Sequence, residues 1–137
     1  MIRTEVTHFT LVRQPWSIAA EEGLQDTFFG ALHRIRAGVN RGRMELYRVN
    51  GESWCVLERM PDMFFIWCYQ GRGLVDFIHK MTEYAHVNGF SSLSFFTHMQ
   101  ATRRALRSMN PEILTTKEPG EMQFIIDTQR CAQRQTA

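Results

Sequence analysis

Along most of the chain the apolar positions keep one of two periods, and the places where the period changes mark the elements. Residues 2–13 carry Val6, Phe9, Leu11 and Val12 and predict a first strand that Pro15 ends. Ser17 is then placed to cap a helix whose apolar residues Leu24, Phe28, Leu32 and Ile35 are spaced by four, four and three. This predicts one amphipathic helix stopping at Gly38, with AGVNRGR as loop. From Arg43 the period shortens. Asn50-Gly51 between two β-rich runs predicts a hairpin, Met60-Pro61-Asp62 a second turn, and MFFIWCY a third strand. The unbroken apolar character of that third strand predicts a central position, covered on both faces.

Beyond Gly73 the period lengthens again. Leu74, Phe77, Ile78, Met81 and Ala85 share one helical face, and Asn88-Gly89 predicts a left-handed C-cap. Leu93, Phe95 and Phe96 predict a short strand. Thr97 is placed to cap a helix with Thr102, Ala105, Leu106 and Met109 inward, and Asn110-Pro111 closes it. EILTTKEPGEMQFIID predicts a hairpin turning at Pro119-Gly120 in type II geometry. The expected order is β, α, β, β, β, α, β, α, β, β. The strand pair flanking the helix after Gly73 should be parallel, because a strand–helix–strand crossover requires it.

Composition narrows the classes. A chain of 137 residues with 44% hydrophobic and 22% charged residues fits one globular domain spanning 1–137, its polar end at 128–137 expected to fray. A formal net charge of +2, from 16 basic against 14 acidic residues, is too small to argue for a nucleic-acid partner on its own. No apolar run approaches the roughly 18 residues of a membrane span, and the N-terminus has no signal-like apolar core. Cys55, Cys68 and Cys131 are odd in number and form no CxxC pattern, so reduced thiols and a cytoplasmic location are expected. His79 and His86 lie seven apart on one helix rather than four, so no metal site is expected there. His8, His33 and His98 suggest no nucleophilic triad.

One junction carries chemistry. Gln70-Gly71-Arg72-Gly73-Leu74-Val75 joins the central apolar strand directly to a helix, and exposed N–H groups at a helix N-terminus bind anions. The bland alternative is a strand-to-helix turn. With Gly89-Phe90 after the helix, this string resembles motif A of the GNAT family of N-acetyltransferases, which reads Gln or Arg, two residues, Gly, one residue, then Gly or Ala. Gln70 and Gly73 match, whereas Val75 replaces the small residue and Tyr69 leads into Gln70 with a shortened loop.

The resemblance implies an α/β fold, a single GNAT-like domain with a twisted, mixed and mostly antiparallel sheet flanked by helices. It implies acetyl-CoA with its pyrophosphate on the N–H groups of Gly71 to Val75, its acyl group near Trp67 and Cys68, and transfer to an amine acceptor. Many members use an Asn and a Tyr on the helix after the fifth strand. Met99 and Leu106 stand there, and no tyrosine follows Tyr84.

Amine attack requires a proton acceptor. Glu58, which under strict alternation shares a face with Trp54 and Val56, is the first candidate and Asp62 the reserve; an exposed strand-end charge is the plain alternative. A second functional reading is a catalytically inactive GNAT-like phage protein, a virion or host-interaction component whose location is host cytoplasm or virion. A third is a small phosphate- or nucleic-acid-binding module built on Arg34, Arg36, Arg41 and Arg43, or on Arg103, Arg104 and Arg107.

Overall fold

The computed structural model describes residues 9–27 and 30–129. Val6, His8, Phe28, Cys131 and the tail from residue 130 lie outside the described residues. Seven strands form one sheet in the order β1-β2-β3-β4-β5-β7-β6. They are β1 (Leu11–Gln14), β2 (Glu45–Val49), β3 (Ser53–Arg59), β4 (Met63–Gln70), β5 (Ser92–Thr97), β6 (Glu112–Thr115) and β7 (Met122–Asp127). Four helices accompany them: α1 (Ile18–Leu24), α2 (Leu32–Asn40), α3 (Leu74–Val87) and α4 (Gln100–Ala105). β1–β2, β2–β3, β5–β7 and β6–β7 pair antiparallel, whereas β4–β5 pair parallel across α3 as the crossover requires. β4 is fourth of seven, and Phe64, Phe65 and Ile66 are all buried, as its unbroken apolar run predicts.

The chain divides into two compact units. The first holds residues 9–58 with Trp67–Arg72. Its core joins Ala20 and Leu24 of α1, Ile35 and Val39 of α2, and Met44, Leu46, Val56 and Cys68 of the sheet. Asn50 and Gly51 both take left-handed φ (53° and 73°), which closes the β2–β3 hairpin. The second unit holds Arg59–Ile66 and residues 73–129. There Phe77, Ile78, Met81 and Ala85 of α3 are buried, and Phe95 of β5 stacks on Phe124 of β7 at 5.2 Å. Gly89 (φ 88°) ends α3, with Phe90 N–H donating to Ala85 O. Gly120 (φ 80°) turns the last hairpin, where Glu121 N–H donates to Glu118 O.

Four expectations need correction. The first amphipathic segment is two helices, not one. Ser17 Oγ does cap α1, accepting from Ala20 N–H at 3.1 Å, but the chain leaves α-geometry after Leu24 and Gly30 takes φ 85°. Gly38 does not stop the second piece. It lies inside α2, where a Cβ would come within 2.6 Å of Met44 Sδ, so this glycine serves close packing, and Gly42 (φ 79°) follows the true end. In and just after α4, Thr102, Leu106 and Met109 turn inward as expected, but Ala105 is exposed. Thr97 Oγ1 accepts from Met99 N–H one residue before the helix rather than capping it, and Met99 is the N-cap.

Candidate functional site

The junction after β4 is held open by its own residues. Gly71 admits no side chain, because a Cβ there would stand 2.0 Å from Ser53 Oγ and 2.9 Å from the Tyr69 hydroxyl. Tyr69 OH donates to the carbonyl of Arg72 at 2.5 Å. Gly73 takes the left-handed conformation (φ 66°, ψ 49°) and is the N-cap of α3, with no side-chain capping bond. Its carbonyl accepts from Phe77 N–H, the first bond of the helix. The backbone N–H groups of Leu74, Val75 and Asp76 have no acceptor among the described residues. Gln70, Gly71, Arg72 and Gly73 are exposed, and Leu74 and Val75 are half-buried. The Arg72 guanidinium has no partner among the described residues.

The other expected residues fall in three settings. Glu58 is half-buried near the end of β3 and accepts from Trp67 Nε1–H at 2.9 Å through Oε1. The guanidinium of Arg34, on α2, lies over the Trp67 ring at 6.0 Å. Glu58, Trp67 and Arg34 therefore form one connected set. Cys68 belongs to the core of the first unit and is 6% exposed. Asp62 is exposed, and its backbone carbonyl is taken by Ser91. Met99 is exposed and Leu106 is fully buried, so neither supplies a proton donor. Of the first basic cluster, Arg34 lies over Trp67 and Arg36 pairs with Glu21 at 3.1 Å and bonds the His33 ring, so two of its four arginines are engaged structurally. Among the described residues no group of three His, Cys, Asp or Glu side chains is placed to hold a metal.

Sequence reasoning missed Tyr69, Ser53 and Arg34 as parts of these settings. Tyr69 reads as one more apolar strand position. The turn in which Met60 N–H donates to Met63 O fixes how β3 and β4 run against each other, and counting back from it would bring Ser53 toward the end of β4.

Both buried thiols are protonated. Burial pushes Cys68 up to about 12, opposed by bonds to the Thr27 side chain and the Val56 backbone. Burial also pushes Cys55 well above its ordinary value, with Cys68 adding to it. An acid raised in the fold stabilises the protein fully below its unfolded pKa and progressively less above it. The Cys68 contribution to stability should therefore fall between about pH 9 and pH 12, by roughly 1.4 kcal/mol per pH unit, with Cys55 acting in the same direction. Urea denaturation at rising alkaline pH measures this, and Cys68→Ala should remove part of the slope.

No family model matches the chain, and no curated protein sequence matches it. Solved structures do. A Bacillus subtilis acetyltransferase in complex with CoA superposes with a TM-score of 0.63 at 12% identity, covering 88% of this chain and 97% of that one. A candidate GNAT-family acetyltransferase from Desulfovibrio desulfuricans gives 0.56 at 9% identity, covering 88% and 99%. An N-acetyltransferase from Staphylococcus aureus gives 0.55 at 10% identity, covering 88% and 97%. At these identities the likeness is one of architecture, and it agrees with the seven-stranded sheet and its single parallel pair: the chain has the GNAT fold.

Proposed function

We propose that the protein binds acetyl-CoA at residues 70–75 and transfers the acetyl group to an amine. The observation that carries this reading is the start of α3. Three backbone N–H groups without acceptors follow a left-handed glycine, at a place where nothing but a turn would otherwise be needed. Such groups, with the positive end of a 14-residue helix behind them, favour a pyrophosphate. Arg72 adds a cation that the helix dipole itself disfavours, which a phosphate would compensate. The B. subtilis neighbour was solved with CoA, which supports the same ligand class here.

Glu58 serves as proton acceptor in this reading. Its Oε1 is fixed by the Trp67 indole, while Oε2 has no partner among the described residues and is available to an ammonium or to an ordered water. The attacking amine forms the new C–N bond as the C–S bond of the thioester breaks, and the CoA thiolate leaves. A thiol's ordinary pKa near 8.5 makes that thiolate a tolerable leaving group, so the missing tyrosine lowers the rate without forbidding the step. Glu58→Gln keeps the bond from Trp67 but cannot take the proton. It should slow acetyl transfer on the order of 10²-fold with CoA affinity unchanged. The check is thiol release against a panel of amine acceptors, and an unchanged rate removes Glu58 from the chemistry.

The catalytically inactive reading is favoured by one feature, the fully buried Leu106 in place of an acid. It predicts no thiol release with any amine.

A further inference from the structure

On the second unit, α4 and the 3-10 turn after it (Arg107–Met109) expose Gln100, Arg103, Arg104 and Arg107, while Thr102, Leu106 and Met109 are buried. With Pro111 and Ile113 these residues line an open groove of about 670 Å³. No acidic residue lines it. None of the three guanidiniums has a carboxylate, ring or other acceptor among the described residues. Elsewhere arginines are used structurally: Arg48 lies 4.3 Å over Trp54, Arg59 lies 5.3 Å over Phe64, and Arg36 pairs with Glu21. The dipole of α4 favours cations at its end, but only by tenths of a kcal/mol over six residues, which does not account for three unpaired charges in one groove.

The groove also adjoins the end of the sheet. β6 pairs with β7 on one side only, so its other edge carries backbone donors and acceptors without a strand partner among the described residues. Leu114 of β6 is 40% exposed, and Glu112 is the one charged residue in the strand. Three cations beside an unpaired strand edge match a ligand with carboxylates at intervals and an extended backbone. A nucleic acid fits less well, since no aromatic ring lines the groove and the chain's net charge is only +2.

We infer that this groove docks an acidic, extended peptide segment of a partner protein. The peptide adds to the edge of β6 and places its carboxylates on Arg103, Arg104 and Arg107. This site does not depend on the acetyl-CoA reading.

A fluorescein-labelled peptide of alternating glutamate and valine, titrated with the full chain and followed by polarisation, tests it. Binding should weaken at least tenfold in the R103E/R104E/R107E variant, and less in the R103Q/R104Q/R107Q variant, which carries no new charge. Circular dichroism melting should show both variants folded, because all three side chains are exposed. The same peptide N-methylated at alternate residues keeps its charge but loses strand pairing, and should bind at least tenfold more weakly. Equal binding by the charge-reversed variant, equal binding of the N-methylated peptide, or tighter binding of oligothymidylate than of the acidic peptide would each overturn the proposal.

Discussion

Gly73→Glu should reduce affinity for CoA by at least 10²-fold while leaving the protein folded. A Cβ at Gly73 meets only Asp76 Cβ, at 3.9 Å, so a side chain finds space. The left-handed backbone (φ 66°) costs a larger residue roughly 1–2 kcal/mol. A carboxylate beside the helix N-terminus returns about 0.3–1 kcal/mol through the dipole, so net stability changes little. For the ligand both effects are adverse. The new carboxylate competes for the N–H groups of Leu74, Val75 and Asp76, and it places a negative charge where the pyrophosphate would lie. Gly73→Ala carries the same backbone cost without the charge and should stay within about tenfold of the parent protein. Thermal shift and calorimetry on the two variants distinguish a damaged fold from a damaged cradle. Equal CoA affinity in Gly73→Glu would move the ligand site elsewhere.

Phe64→Ala should cost about 3–5 kcal/mol of stability. Phe64 is fully buried in β4, pairs with Leu93 of β5 in the parallel register, and stacks on Phe90 at 5.0 Å and on Tyr84 at 5.7 Å. Arg59 covers the same ring and that of Phe90. Truncation removes the burial, the two ring contacts and the cation's platform together, and leaves a void that a parallel strand pair cannot collapse into without losing its register. Against a typical total of about 5–15 kcal/mol, that loss is enough to populate unfolded chains. Urea denaturation measures it. A loss below about 1 kcal/mol would mean that Phe64 is not the anchor of the second unit.

The sheet was legible in the sequence because its signals are local. Asn50-Gly51 sets the β2–β3 hairpin, the run from Met63 to Tyr69 marks the middle strand, and the crossover rule makes β4 and β5 parallel. What escaped depended on residues distant in sequence or on backbone angles. A period of 3.6 continues from Leu24 to Ile35 on paper, but the first helix ends at Leu24 and the second begins at Leu32, after Gly30 with its left-handed φ. Gly38 resembles a helix stop until Met44 is seen packed against it. At the candidate site, the placement of Gln70 to Val75 between a strand and a helix could be read directly. That Gly71 must be glycine could not, because the reason is Ser53, on the neighbouring strand. The bond from Trp67 to Glu58 was hidden in the same way, since it rests on strand pairing rather than on either residue's neighbours.

The central claim is that a working cofactor site sits at the start of α3, and isothermal titration calorimetry with acetyl-CoA and with CoA tests it most directly. Binding in the micromolar range, lost in Gly73→Glu and retained in Gly73→Ala, is the predicted result. No heat with either ligand, together with no thermal stabilisation at millimolar concentration, would contradict it: the GNAT fold would stand, and the acetyltransferase reading would not.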